Sequence, residues 1–141
     1  MAQDAVSLYR RSRRLHTYLT DLAAPLAGAW PRIDIVPVHV GADDTAVRAS
    51  IAVGARGLVV DGFSFRGLPA PGQRETLRRA VDDGLPVVLC NRGRMGRIPL
   101  DRASPYISAD DLTAPKARIL LALAVAGGVP PSSMQELFDR H

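Results

Sequence analysis

The chain has 141 residues, a formal net charge of +4, and hydrophobic and charged fractions of 47% and 23%. This length predicts one domain with its own core, and the composition is typical of a globular protein. It has no apolar run that could span a bilayer and no signal-peptide pattern, so we expect no membrane association. Because Cys90 is the single cysteine, no intrachain disulfide can form, and we expect a cytoplasmic protein.

The positive charge comes from arginine, since Lys116 is the only lysine, and part of it lies in the run Tyr9–Arg14. Such a run could bind phosphate groups or an acidic partner. The simpler interpretation is the solvated face of a helix, because the chain has few aromatic residues to stack on bases and no recognisable nucleic-acid module. We therefore expect no binding of nucleic acid.

Helical spacing of leucines over residues 4–24 predicts an N-terminal helix, and we assign residues 1–30 to a helical extension. Predicted strands and helices then alternate along the chain. The strands cover residues 33–39, 57–61, 86–90 and 106–108, and the helices cover residues 45–53, 72–83, 114–126 and 130–138. Thr113 is expected to cap the third of these helices, and Gly127-Gly128 to end it.

Alternating strands and helices are typical of a parallel sheet with right-handed crossovers. The third helix of the alternating part is apolar on most sides and should be buried against the sheet. The first strand is a short apolar run that suits coverage on both faces, although Pro37 argues against full pairing near its end. We predict a three-layer α/β domain over residues 31–141, with about four parallel strands, flavodoxin- or Rossmann-like.

Polar side chains cluster where the predicted strands end. Open parallel sheets bind ligands beyond the carboxyl ends of their strands, so this edge is the place to look for a site. The residues that follow or belong to the strand ends are His39, Asp61, Ser64, Arg66, Cys90, Asn91, Arg92, Tyr106 and Ser108. They include a carboxylate, an imidazole, a thiol, hydroxyls and guanidinium groups, which suit several chemistries.

Each of these groups also has a structural interpretation. Asp61 could tie down its own loop, and His39 could be an ordinary strand-end histidine. Cys90 is more typical of a small buried core residue than of a nucleophile, although Arg92 could lower its pKa. The four arginines within residues 92–102 could be solvated, or could bind a carboxylate or a phosphate.

Standard motifs for cofactor and metal chemistry are missing from these 141 residues. The sequence has no dinucleotide-binding glycine motif, no P-loop, no nucleophile elbow and no metal-ligand spacing. The loop Gly62–Gly67 follows a strand but has only two glycines, which does not favour a phosphate-binding loop. We therefore expect neither a cofactor nor a metal.

Six pieces of the sequence, in order, resemble one known family. They are Pro31–Val36 with Gly41–Asp43, Gly54–Val60, Leu85–Val88, Asn91-Arg92, Ser108–Ala124 and Gln135–Asp139. Together they resemble the C-terminal domain of the bacterial-type (type I/II) L-asparaginases and glutaminases, with Ser108–Ala124 the closest match. The resemblance implies the α/β fold of that domain.

The resemblance also bears on activity. In that family the threonine nucleophiles lie in an N-terminal domain, within Thr-Gly-Gly-Thr and Gly-Thr-Asp-Thr motifs, and neither motif occurs in these 141 residues. We therefore expect the smaller domain of the enzyme without the larger one, unable to hydrolyse asparagine by itself.

The family's C-terminal domain normally reaches across a subunit interface and offers an asparagine from a Gly-Thr-Gly-Asn-Gly-type loop to the substrate. In this sequence that position falls on Phe65. A glutamate from a later loop has no clear match, and Asp101 is the nearest acid. The resemblance therefore implies a retained framework with altered substrate-contacting positions.

Three hypotheses follow. The chain could be an accessory subunit of an amidohydrolase-like complex that docks a separate asparaginase-type N-terminal domain. It could be a repurposed enzyme with His39 and Asp61 as candidate catalytic residues. Its pocket for a small acidic or amide-bearing metabolite would contain Asp61, Ser64, Phe65, Arg66, Asn91 and Arg92. It could be a pseudoenzyme that binds a ligand or forms a homo-oligomer, and this hypothesis is slightly favoured.

Overall fold

The computed structural model describes residues 15, 19, 20, 22, 29–63, 66–93 and 97–141. The described residues contain four strands and four α-helices, with a short 3-10 turn over Pro71–Gln73. Strands and helices alternate as far as the third strand, which is followed by the fourth strand and then by two helices. The strands are β1 (Ile33–Pro37), β2 (Gly57–Gly62), β3 (Val87–Asn91) and β4 (Ile107–Ser108). The helices are α1 (Thr45–Ala52), α2 (Arg74–Asp82), α3 (Ala114–Ala126) and α4 (Pro131–Arg140).

The four strands form one parallel sheet in the order β1-β2-β3-β4. Helices cover both faces of this sheet, so the predicted three-layer α/β fold is confirmed. One face packs on α1 and α2 through Val47 and Leu77. The other face packs on α3 and α4 through Leu121 and Phe138. The alternation of apolar residues along each strand supplies both cores.

Three helices end in the same way at the amino edge of the sheet. Gly54, Gly84 and Gly128 have φ values of +86°, +87° and +71°. At each of them the glycine N–H donates to the carbonyl three residues back, and the next N–H donates to the carbonyl five residues back. These are Schellman motifs, which satisfy the last carbonyl groups of a helix and favour glycine.

Several local expectations are corrected. Strand β1 is one of the two outer strands of the sheet, and its Ile35 is 37% exposed rather than covered. In α3, Ile119 is 56% exposed although the helix is otherwise buried against the sheet as predicted. Thr113 occupies the N-cap position of α3, but its side chain makes no capping hydrogen bond. The bounds of the other strands and helices agree with prediction within a few residues.

The predicted helix over residues 4–24 falls mostly outside the described residues. Within that range Leu15, Thr20 and Leu22 do not lie in an α-helix. The Leu15 N–H donates to the carbonyl of Arg140 at 2.8 Å, and the Leu22 N–H donates to the Thr20 hydroxyl at 3.2 Å. A tertiary contact at Leu15 and a local side-chain contact at Leu22 therefore replace the helical hydrogen bonds that the leucine spacing predicts.

None of the helices in the described ranges is long and apolar enough to cross a membrane.

Candidate functional site at the carboxyl edge of the sheet

Asp61 and Arg92 form an ion pair where strands β2 and β3 end. Arg92 Nε donates to Asp61 Oδ2 at 2.8 Å, and Arg92 Nη2 donates to the Asp61 carbonyl at 3.1 Å. The Arg92 backbone N–H donates to the Gly62 carbonyl at 2.8 Å. Because one arginine engages both the side chain and the backbone of the neighbouring strand, the pair ties the two strand ends together. This geometry favours the interpretation in which Asp61 fixes its own loop.

Phe63 extends this arrangement to the surface. The Arg92 guanidinium lies over its ring, 5.5 Å from the centroid. A cation at this distance from an aromatic face is attracted by the ring quadrupole. Phe63 is nevertheless 68% exposed, so the ring presents its remaining surface to solvent.

The loop that carries Phe63 is closed by its two glycines. A Cβ added to Gly62 would collide with the backbone of Gly67. Gly67 has a φ of +62°, and a Cβ there would lie 2.8 Å from the carbonyl oxygen of Cys90. Only glycine permits this approach of backbone to backbone. The sequence showed two glycines five residues apart after a strand. The structure shows that the two glycines are in close backbone contact.

Of the other predicted site residues in this loop, only Arg66 lies within the described residues. Ser64 and Phe65 lie outside the described residues. Arg66 Nη2 donates to Asp101 Oδ2 at 3.1 Å, which ties the β2–α2 loop to the connection between β3 and β4. Asp101, the acid nearest to the family's glutamate position, is therefore the ion-pair partner of a neighbouring loop.

His39 and Asn91 each make a local contact with the backbone. The His39 ring is exposed, and its Nδ1 lies 3.0 Å from the carbonyl oxygen of Val40. Asn91 Oδ1 accepts the Gly93 N–H at 2.8 Å, which shapes the turn after β3. Asn91 ends β3 opposite Gly62 of β2, and His39 follows β1 by two residues, so both lie at the carboxyl edge as predicted.

Cys90 is completely buried in β3. Burial raises the pKa of its thiol to about 12, and the negative charge of Asp61 acts in the same direction. The expectation that Arg92 could lower this pKa is therefore wrong, because the Arg92 guanidinium is paired with the Asp61 carboxylate. Since the thiolate is the nucleophilic form, Cys90 behaves as a small core residue.

The arginine-rich connection between β3 and β4 is held by ion pairs. Two guanidinium nitrogens of Arg97 donate to the Asp110 carboxylate, Nε to Oδ1 at 2.5 Å and Nη2 to Oδ2 at 2.6 Å. Arg94 lies outside the described residues. Arg92 and Arg97 are thus already engaged by carboxylates, which does not support a ready anion-binding loop.

The remaining predicted residues belong to the framework. Ser108 Oγ donates to the Ile98 carbonyl at 3.1 Å and lies in the sheet. Tyr106 is partly buried against the core that contains α1 and α2, and burial raises the pKa of its hydroxyl. Within the described ranges no group of three metal-binding side chains could hold an ion.

Two glutamines in structural roles were missed by the sequence reasoning. Gln73 is buried, accepts the Ala70 N–H at 3.1 Å and donates to the Pro37 carbonyl at 3.2 Å. Gln135 binds the backbone of Ser108 on β4. Local sequence does not reveal their contacts with the sheet, because Pro37 and Ser108 lie 36 and 27 positions away along the chain.

Exposed apolar side chains also collect at this edge. Val40 follows β1, Phe63 follows β2, Leu68 lies in the β2–α2 loop, and Leu100 lies between β3 and β4. All four are at least 40% exposed, and Val40 is fully exposed. We call these four residues the carboxyl-edge surface. Exposed apolar residues that gather on one side of a domain are typical of an interaction site.

Comparison with known proteins decides the family. Residues 32–138 match the model of the glutaminase/asparaginase C-terminal domain, which is most of the chain. The chain belongs to this family. The resemblance noted in the sequence, which began near Pro31 and ran to His141, is thereby confirmed.

Individual relatives agree with this assignment. L-asparaginase 2 of Escherichia coli (strain K12) is 26% identical over 141 residues, which cover 96% of this chain and 40% of that protein. The crystal structure of a probable cytoplasmic L-asparaginase from Campylobacter jejuni matches with a TM-score of 0.87 and 28% identity. That match covers 97% of this chain and 45% of the Campylobacter chain. The chain therefore spans less than half the length of the relatives it matches.

Proposed function

We propose that this asparaginase C-terminal-type domain is an accessory subunit of an amidohydrolase-like complex. It docks an asparaginase-type N-terminal domain through the carboxyl-edge surface and does not hydrolyse asparagine by itself. The observation that carries the proposal is the set of exposed apolar side chains Val40, Phe63, Leu68 and Leu100, which sit on the loops at one edge of the sheet.

Contacts within the domain hold parts of the loops that present Phe63, Leu68 and Leu100. Gly62 and Gly67 close the β2–α2 loop, and Arg66 ties it to Asp101. A preorganised surface loses little conformational entropy on association. Ion pairs already made within the domain also leave fewer unpaired charges to desolvate at a contact.

The partner is inferred from what the relatives contain. The two proteins described above are L-asparaginases in which this domain accounts for 40% and 45% of the chain. In those relatives a domain of this type is joined in one chain to the rest of an L-asparaginase. We therefore infer that the rest of an L-asparaginase is the partner that this domain fits. An N-terminal domain of that kind would supply the threonine motifs that these 141 residues lack, in the cytoplasm. A second copy of this chain is the other partner to consider, as a homo-oligomer.

A repurposed metabolite-binding enzyme is less well supported. Its pocket would place a ligand beside Asp61 and Arg92, but each of these side chains is the other's partner at 2.8 Å. A carboxylate ligand that took the place of the Asp61 side chain on Arg92 would cost the ion pair and the hydrogen bond from Nε to Oδ2. The occupied pair therefore favours docking over ligand binding at this point.

The test is association measured with altered surfaces. The isolated N-terminal domain of L-asparaginase 2 would be titrated with this chain and followed by sedimentation velocity and by asparagine hydrolysis. We expect a defined complex for the unaltered chain and at least about tenfold weaker association for the double variant Val40→Ser and Phe63→Ser. Removing two exposed apolar anchors from an interface commonly has an effect of this size.

Ile119→Ser is the matched control, because Ile119 is similarly exposed but lies on α3. It should associate as the unaltered chain does. Equal association of the double variant and the control would contradict the proposed surface. Asparagine hydrolysis by this chain alone would contradict the accessory role.

A further inference from the structure

The outer edge of β4 carries backbone groups that point away from the sheet. Leu89 of β3 lies opposite Ser108, and the Ala109 N–H donates to the Leu89 carbonyl at 3.0 Å. In a parallel pair, alternate residues of a strand direct their N–H and C=O groups to the same neighbour. Ser108, and Tyr106 just before the strand, therefore direct their N–H groups outward, where another strand could pair with them. Asp110 lies beyond β4 and has a φ of +56°, so its N–H belongs to the turn that follows the strand.

Both outward N–H groups, and the N–H of Asp110 in the turn that follows, donate to side-chain oxygens of this same chain. The Tyr106 N–H donates to Ser104 Oγ at 3.2 Å, and the Asp110 N–H donates to Ser108 Oγ at 3.2 Å. The Ser108 N–H donates to Gln135 Oε1 at 2.7 Å. The outward N–H groups at and beside β4 are thus bound by side-chain oxygens.

Gln135 occupies the central position with both ends of its amide. Its Nε2 donates to the Ser108 carbonyl at 3.3 Å, while its Oε1 accepts the Ser108 N–H. This reproduces the two hydrogen bonds that a residue of an adjacent strand would make. Asp139 Oδ1 accepts a further hydrogen bond from Nε2 at 2.8 Å and so holds the amide in this orientation.

The opposite edge of the sheet is also covered. On β1, Arg118 Nε donates to the Ile33 carbonyl at 2.9 Å, and Gln73 Nε2 donates to the Pro37 carbonyl. Pro37 has no N–H to offer a partner strand. Both outer strands of the sheet therefore carry devices that proteins use against edge-to-edge pairing.

We propose that Gln135 is a removable lock on a strand-pairing surface, which keeps β4 from pairing with β4 of a second copy of this chain. Two copies related by a twofold axis would place Ser108 opposite Ser108, where each residue exchanges two hydrogen bonds with its counterpart. With the lock in place, that pairing would only replace hydrogen bonds already made. Association is thereby left to surfaces other than the sheet edges.

The experiment compares Gln135→Met with Glu136→Met. Methionine keeps the length of the side chain but cannot bind Ser108, and Glu136 is an exposed neighbour on the same helix. At low concentration we expect the Ser108 amide of Gln135→Met to exchange with solvent about tenfold faster or more. The Ala109 amide, which is bound to β3, should be unchanged. At high concentration, Gln135→Met should form dimers by sedimentation velocity and Ser108 should regain its protection.

Two results would overturn the proposal. One is unchanged exchange at Ser108 in Gln135→Met, and the other is a sedimentation profile equal to that of Glu136→Met at every concentration. If Gln135→Met fails to fold, Ser104→Ala tests the same edge without altering α4. That variant should accelerate exchange at Tyr106 alone, and unchanged exchange there would count equally against the proposal.

Discussion

Arg92 is the residue on which the carboxyl edge depends most. It binds the side chain and carbonyl of Asp61, donates its own N–H to Gly62 and covers the ring of Phe63. Two strands and one loop are therefore connected through one side chain. The Arg92 side chain is 35% exposed, less than the arginines of the other described ion pairs, and exposed pairs contribute little to stability.

Replacing Arg92 should measure this role. We expect Arg92→Met to lower the free energy of unfolding by about 1 kcal/mol, because a partly buried, charge-assisted pair is lost while the apolar stem remains. Arg66→Met is the matched control, since its pair with Asp101 is about half exposed, and it should cost less than about 0.5 kcal/mol. Urea denaturation of the two variants checks the difference, and equal losses would show that Arg92 has no special role.

Cys90 gives a prediction in pH. Its pKa is raised from 9.0 to about 12 by burial, so the folded state holds the thiol proton more tightly than the unfolded state. The contribution of this thiol to the free energy of unfolding is therefore complete below about pH 9 and decreases as the pH rises toward 12. Unfolding free energies measured from pH 8 to 10.5 should fall less steeply for Cys90→Ala than for the unaltered chain. Parallel curves would contradict the assignment.

At the residue scale, the sequence predicted where polar groups gather but not how they pair. The strand ends identified Asp61, Asn91 and Arg92 as neighbours, because parallel strands bring their carboxyl ends to one edge. Local sequence carried no information on whether Arg92 would turn to Asp61 or to Cys90. That choice depends on side-chain conformations that only the folded packing determines.

At the scale of elements, glycine has two different tasks in this chain. Gly84 ends α2 with a φ of +87° in open space, where an added Cβ would meet nothing within 4 Å. Gly62 instead lies at the end of β2 against the backbone of Gly67. The first task depends on a backbone conformation and the second on the absence of a side chain.

These two tasks predict different costs for the same substitution. Gly84→Ala should lower the free energy of unfolding by about 1–2 kcal/mol, the usual penalty of a left-handed conformation for a residue with a Cβ. Gly62→Ala should cost about 3 kcal/mol or more, because the loop backbone must move to avoid a collision. Thermal or urea unfolding of both variants decides it, and equal costs would show that the loop is free to adjust.

Most elements were predictable because hydrophobic spacing, prolines and helix-ending glycines agree with one another. The predicted helix over residues 4–24 was wrong at Leu15, Thr20 and Leu22, where leucine spacing was the only signal. At these positions hydrogen bonds to residues of the C-terminal helix or to a nearby hydroxyl replace the helical pattern. Spacing alone does not reveal such a tertiary partner.

At the scale of the whole molecule, the described part of the N-terminal segment is fastened to the end of the chain. Thr20 Oγ1 lies 2.8 Å from His141 Nε2, and Leu22 is partly buried against the core between the sheet and α3 and α4. Leu19, by contrast, is 51% exposed. The division into residues 1–30 and a domain of residues 31–141 remains our proposal, and it assigns the main core to the second part.

Truncation and a single substitution test that division. We expect residues 31–141 alone to unfold cooperatively, since the fully buried core residues that the structure describes all lie within them. We expect Leu22→Ala to cost about 1 kcal/mol in the full chain through lost apolar burial, and Leu19→Ala to cost much less. Calorimetry or circular dichroism would show it. A truncated chain without a cooperative transition would mean that the first thirty residues are part of one folding unit.

The strand order has a consequence for any chemistry at this fold. Open α/β sheets form a ligand crevice where the order of strands reverses and neighbouring crossovers diverge to opposite faces. Here the order advances from β1 to β4 without reversal, and the described connections from β1 to β4 pack on one face. Among the described residues, the connections between the strands therefore approach the carboxyl edge from one face of the sheet. We expect a ligand held there to be shielded from water on the other face by a second molecule, in keeping with the docking role proposed above.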